Sequence, residues 1–232
     1  MKRFLIMKRF LILSVTLAAL FTLCHVKEAR AQSSSDDLQK FEVGVHFTTL
    51  TKPSYGQSRT DPGFGGRLTY NLTKSLAVEA EGNFFPENVR SSAANENMGR
   101  GSEALFGVKA GRRFGKFGIF GKARPGLAHF SGGNFDLLPV GTVTAGTFPA
   151  LRFDTRGLNA FAFDLGGVLE FYPSRRIVTR FDAGDTLIRY GQRSYTAPSF
   201  NVATGQTSIV SFPLPAETRH NFQFTAGVGF RF

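Results

Sequence analysis

Cysteine is almost missing from this chain. Cys24 is the only one, so no disulfide framework and no thiolate metal site can form. Tryptophan is absent, so any aromatic belt must be built from Phe and Tyr. Histidine is scarce, four in all, and those beyond the N-terminal region, His46, His129 and His220, are scattered with no spacing that suggests a zinc ligand set. No phosphate loop is present either, because Gly63-Phe-Gly-Gly66 leads into another alternating run and not into a helix. These absences leave no metal and no cofactor to expect.

The N-terminus supplies a secretory signal. Lys2, Arg3, Lys8 and Arg9 precede the fourteen uncharged, mostly apolar residues Phe10 to Leu23. As a helix that run spans about 21 Å, short of the ~30 Å hydrocarbon core. Ala29-Arg30-Ala31 then offers small residues at the two positions that a signal peptidase inspects. Lipidation at Cys24 does not fit, since Phe21-Thr22-Leu23 are bulky or polar. Met-Lys-Arg-Phe-Leu-Ile occurs at 1 and again at 7, so initiation at Met7 would preserve the signal. Residues 1–31 are therefore read as a cleaved signal, 32–40 as a short leader and 41–232 as the body. Cleavage after Ala31 leaves 201 residues with 22 basic and 16 acidic side chains, a net +6 in place of +11. That surplus suits a surface facing anionic lipopolysaccharide.

The body repeats one theme. Phe41, Val43, Val45 and Phe47 alternate with Glu42, Gly44, His46 and Thr48. The same period-two pattern runs through 64–71, 76–84, 104–111, 117–127, 161–171 and 222–232, and less cleanly through 177–190. Successive strand residues point to opposite faces, so this period specifies strands. One face is apolar, whereas the other carries Glu79, Glu81, Lys109, Lys122 and Asp164 in mid-strand. Phe41, Phe84, Phe117, Phe161, Phe171 and Phe222 sit at strand ends, where membrane barrels place aromatic girdles. Each run is close to the ~9–11 residues that a tilted membrane strand needs.

The gaps order the strands. Asn71–Ser75, Phe114–Lys116 and Pro173–Arg176 are short and rich in turn residues. Thr51–Pro62, Phe85–Ser102, Ser131–Asn159 and Gly191–Arg219 are long. Short and long gaps alternate, as in a barrel with short periplasmic turns and long external loops. The expected fold is all-β: an eight-stranded antiparallel transmembrane β-barrel with four long external loops. Strand seven poses one difficulty. Strict alternation places Asp185 on the lipid face, so a bulge at Ala183–Gly184 is expected to return it to the lumen. Failing that, Asp185 must lie at the outer interface.

Several segments carry a family resemblance: Phe120-Gly-Lys-Ala-Arg-Pro-Gly126, Phe161-Ala-Phe-Asp-Leu-Gly-Gly167, Glu170-Phe-Tyr-Pro-Ser174, Thr179-Arg-Phe-Asp-Ala-Gly-Asp185 and the terminal strand. Together they resemble the OmpA-like outer-membrane β-barrel domain family. The resemblance covers nearly the whole mature chain, through soft patterns. The final strand, with Phe224, Ala226, Val228, Phe230 and Phe232 on one face, is similar to that family's C-terminal assembly signal. This implies recognition by the barrel-assembly machinery. Many OmpA proteins continue into a peptidoglycan-binding domain. This sequence ends on the barrel strand, so cell-wall tethering is not expected of it.

By parity the lumen receives Glu42, Glu79, Glu81, Asp164, Glu170 and Asp182 against Arg67, Lys109, Arg113, Lys122, Arg124 and Arg180. An eight-stranded barrel has room only for side chains, and buried charges must pair. The lumen is therefore expected to be plugged. Two mimics of other chemistry are set aside. The basic and aromatic run 111–124 reads as a hairpin with its cations inside, so no nucleic acid is expected. His129-Phe130-Ser131 has the His-x-Ser spacing of lipid A deacylase barrels. Gly132 stands where those enzymes place an Asn, and no neighbouring acid is evident to orient the base. The expectation is a non-enzymatic outer-membrane barrel that meets a surface ligand through its external loops. A small diffusion pore is the alternative, and a lipid A deacylase-like enzyme the second.

Overall fold

The structure is a computed structural model that describes residues 39–54, 57–86, 99–140, 150–201, 204 and 206–232. The expected signal and almost all of the leader lie outside the described residues. Ten strands form among the described residues: β1 (Phe41–Ser54), β2 (Gln57–Asn71), β3 (Leu76–Phe85), β4 (Gly101–Phe114), β5 (Phe117–Val140), β6 (Ala150–Phe171), β7 (Ile177–Tyr190), β8 (Arg193–Asn201), β9 (Gln206–Leu214) and β10 (Glu217–Arg231). Eight of them close into an antiparallel barrel in the order β1-β10-β7-β6-β5-β4-β3-β2, and β8-β9 is a separate hairpin. No helix occurs among the described residues.

Closure joins the two ends of the barrel sequence. β10 pairs with β1 from Glu42↔Arg231 to Thr51↔Phe222, and Phe41 and Phe232 exchange backbone hydrogen bonds of 2.9 Å. Every barrel strand then has two neighbours, which removes the free sheet edges that hydrocarbon does not tolerate. The outward face is apolar, with Val45, Phe47, Phe64, Leu68, Phe106, Ile119, Leu127 and Val228 all exposed. Rings cluster at both rims. At the short-turn end Phe41 lies 4.9 Å from Tyr70 and 6.0 Å from Phe232, and Phe117 lies 5.1 Å from Phe171. Toward the other end Phe64 meets Phe84 at 5.6 Å.

The three short connections are tight turns at 72–75, 115–116 and 172–176. Gly115 holds φ +57°, a left-handed conformation that only glycine adopts freely, and so lets β4 reverse into β5 in two residues. The long connections differ from expectation. β1 and β2 stay paired to Ser54↔Gln57, and β5 and β6 stay paired to Val140↔Ala150. Within the last long connection, Arg193–Asn201 and Gln206–Leu214 are the strands β8 and β9. Much of the presumed loop sequence is thus strand that continues beyond the barrel wall. A register shift between Phe130 and Asn134 marks where β5 leaves the wall.

The expected bulge in β7 is absent. β7 keeps one register with β10 from Glu217↔Tyr190 to Phe230↔Ile177, and one with β6 from Phe161↔Arg189 to Phe171↔Thr179. A bulge would have to be matched on both sides of the strand. Asp185 consequently faces outward, opposite Phe222 and Leu165.

The hairpin β8–β9 is latched to β5. Asp136 accepts hydrogen bonds from Thr196 N at 2.9 Å and Thr196 Oγ1 at 2.8 Å, and it pairs with Arg156. The two Thr196 bonds, aided by Arg156, hold the Asp136 carboxyl below its ordinary value of 3.8. A lowered carboxyl contributes stability that is present above its unfolded value and fades as pH falls through the folded one. Pepsin cleavage of the hairpin should therefore be slow near pH 5 and accelerate only below the ordinary carboxylate range. Asp136→Ala should be cleaved quickly at both pH values.

Candidate functional site

The inward faces of the eight strands fill the barrel in layers. At the short-turn end Glu42 accepts from Arg231 Nε and Asn71 Nδ2, both at 2.9 Å, with Arg113 at 3.5 Å. Arg113 donates to Tyr172 OH at 2.8 Å, and Arg231 stands 4.6 Å above the Tyr172 ring. Glu170 accepts from the Tyr172 hydroxyl.

The central layer is ionic. Arg180 holds Glu79 through two N–H groups and Asp182 through two more. Lys109 reaches Glu170 at 2.5 Å and Glu79 at 3.5 Å. Arg124 joins Glu81 at 2.5 Å and Asp164 at 2.6 Å. Lys122 lies 3.0 Å from Asp164 and 3.6 Å from Asp182. Arg67 completes the layer, 3.4 Å from Glu81 and 3.5 Å from Asp182. All ten of these side chains are buried. Each cation meets two carboxylates, as charges in a low dielectric require.

Above the ions lies a hydrogen-bonded polar layer. His46 Nε2 meets Asn83 Oδ1 at 2.7 Å, and Asn83 Nδ2 donates to Glu103 at 3.0 Å. Gln223 Nε2 also donates to Glu103, at 3.1 Å. Gly65 makes room for the His46–Asn83 bond, since a Cβ there would collide with both side chains. The last layer is apolar and closes the end nearest the long connections. Leu50, Phe85, Leu105, Ala128, Phe130, Ala160, Ala162, Ile188 and Tyr190 form one buried cluster.

The twelve charged residues selected by parity thus occupy the two lower layers. Glu103 and Arg231 join them, making seven inward acids and seven inward bases below the mouth. Both had the right parity. Glu103 sits one residue before the visible alternation begins, and Arg231 is the penultimate residue. His129 and Ser131 do not form a nucleophile–base pair. His129 Nδ1 is 2.6 Å from Asn159 Oδ1, whereas Ser131 Oγ accepts from the Arg100 N–H at 2.8 Å. Phe224, Ala226, Val228 and Phe230 of the expected assembly signal lie along β10, on the face opposite the buried Gln223, Thr225 and Arg231, and Phe232 follows the strand's end. No grouping suited to a metal ion occurs among the described residues.

No family model matches this sequence, and no curated protein sequence matches it either. Solved structures do. Neisserial surface protein A is similar with a TM-score of 0.50 at 10% identity, over 83% of this chain and 97% of that one. The fold is that of an outer-membrane β-barrel. The Ail attachment invasion locus protein of Yersinia pestis aligns with a TM-score of 0.40 and 16% identity, over 84% of this chain and 100% of Ail. The N-terminal barrel of Pseudomonas aeruginosa OprF gives 0.38 and 13%, over 82% and 97%. At such identities the likeness concerns architecture alone.

Proposed function

We propose that this chain is a non-enzymatic surface protein of the bacterial outer membrane, exported through a cleaved signal and displayed by its four long external connections. The short turns then face the periplasm. The observation that carries this reading is the lumen. Six acids and seven bases are interlocked within it, and the apolar cluster around Phe130 and Tyr190 lies above them. An apolar constriction repels water and ions, so the barrel has two seals in series. With no path through the wall, the work falls to what projects beyond it. The hairpin β8–β9 exposes Ile209, Val210 and Phe212, which suits contact with a surface ligand. The apolar face of β10, continued by Phe232, fits recognition by the barrel-assembly machinery. The Phe and Leu exterior fits lipid.

Single-channel recording tests the reading. Refolded protein in planar bilayers should be silent, while heat-modifiable migration of the same sample shows that it is folded. Discrete, reproducible current steps would overturn the sealed lumen and leave a small diffusion pore.

A further inference from the structure

The outward face of β7 and β10 changes character abruptly toward the long-loop end. On β7 Phe181 and Ala183 give way to Asp185, Leu187 and Arg189, and on β10 Phe224 and Phe222 give way to His220 and Thr218. Asp185 is eight residues above Ile177. For a strand tilted about 40° that is a rise of about 20 Å, near the upper edge of a ~25 Å apolar band. Equivalent outward positions on β1, β2 and β3, namely Thr49, Pro62 and Phe84, carry no charge. The cluster of Asp185, Arg189 and His220 therefore has no counterpart at these positions of β1–β3.

Its side chains are held in place. His220 Nδ1 lies 2.6 Å from Asp185 Oδ2, and the carboxylate can only accept, so Nδ1 carries the proton. Asp185 Oδ1 is fixed in turn by the Asn221 N–H at 3.0 Å. That leaves the His220 Nε2 as the free ring atom, on a side chain 75% exposed. Arg189 Nη1 donates to Thr218 Oγ1 at 3.2 Å. The hydroxyl accepts there, so its own proton is free to donate outward. Arg189 pairs with Thr218, and Leu187 with His220. Arg189, Thr218 and His220 are thus neighbours on one face, with Leu165 and Phe222 exposed just below.

We infer that Arg189, Thr218 and His220 form a binding site for the phosphoryl group of an outer-leaflet lipid. A guanidinium and a hydroxyl supply donors for phosphate oxygens, and His220 supplies a third at Nε2 in its imidazolium form, with Nδ1–H kept on Asp185. Asp185 is the positioning residue, because it turns His220 so that Nε2 faces the ligand. The apolar surface below receives the acyl chains. The assignment rests on the outer-membrane reading, and membrane fractionation checks that reading separately.

Native mass spectrometry of the membrane-extracted protein tests the site, with diphosphoryl lipid A, its dephosphorylated counterpart and inorganic phosphate as probes. The protein should retain diphosphoryl lipid A about tenfold better than the dephosphorylated form. Arg189→Gln combined with His220→Gln should abolish that preference. Arg112→Gln removes an exposed cation at the opposite rim and should keep it. Heat-modifiable migration confirms that each variant is folded. A folded, outer-membrane-located protein without the preference, or a double variant that keeps it, overturns the site. Full displacement of lipid A by excess inorganic phosphate would overturn the lipid as its ligand.

Discussion

Replacing Arg180 by alanine is expected to destabilise the barrel by about 3–5 kcal/mol, because the deletion strands buried carboxylates. Arg180 is 2% exposed and donates four hydrogen bonds, two to Glu79 and two to Asp182. After its removal Glu79 retains Lys109 at 3.5 Å, and Asp182 retains Arg67 at 3.5 Å and Lys122 at 3.6 Å. Those contacts are longer and already shared with other acids, so they cannot replace a planar fork. Arg180→Lys should recover only part of the loss, since a single ammonium cannot grip both carboxylates at once. Replacing Glu79 by Gln alongside Arg180→Met should recover more, because one cation and one carboxylate then leave the layer together and Asp182 keeps Arg67 and Lys122. Urea titrations in lipid vesicles, followed by heat-modifiable migration, give the ranking. Equal stability of Arg180→Ala and the parent would mean that water or counter-ions reach the central layer, and the lumen could not then be called sealed.

Parity carried the reading of the chain furthest where one face meets lipid and the other meets charge. Glu79, Glu81, Lys109 and Asp164 could be placed inside because their strand neighbours are plainly apolar. The same rule fails where both faces are apolar. Around Leu127–Phe130 the outward Leu127 and the inward Ala128 and Phe130 follow one another, so alternation disappears and the segment reads as the start of a loop. The upper apolar seal was hidden for this reason. The continuation of β5 was hidden by the shift between Phe130 and Asn134, which resets the period. The hairpin β8–β9 escaped because Pro198 and Pro213 interrupt a neutral stretch rich in Ser and Thr. Asp185 follows the alternative to the bulge. The strand keeps its register, and the outward charge is tolerable because its cost on the lipid face falls to about 0–1 kcal/mol near the interface. At that depth a partner such as His220 suffices, and the register of a doubly paired strand is preserved. Alternation identifies the face a residue takes. Depth decides whether that face is tolerable, and depth depends on where the strand begins.

Phe130→Ala should cost about 3–5 kcal/mol, the usual range for emptying a buried aromatic site, and should still leave the bilayer silent. Phe130 is 2% exposed, its ring centroid is 6.1 Å from that of Tyr190, and Lys52 Nζ stands 4.8 Å above it. Removing the ring opens a hole in the apolar cap between Leu50, Phe85 and Ile188, and water can then descend to Glu103 and His46. Below them the central layer is intact, with Arg124 and Arg180 still clamped to their carboxylates. Ions therefore meet a second barrier that the substitution does not touch. Stability and conductance should separate: a marked loss in the first, no change in the second. Combining Phe130→Ala with Arg180→Ala breaches both layers, and current steps are expected only in that double variant. If Phe130→Ala conducts by itself, the ionic layer is permeable once wetted. The apolar cap would then be the whole of the seal, and the paired charges would line a pore that the external end holds shut.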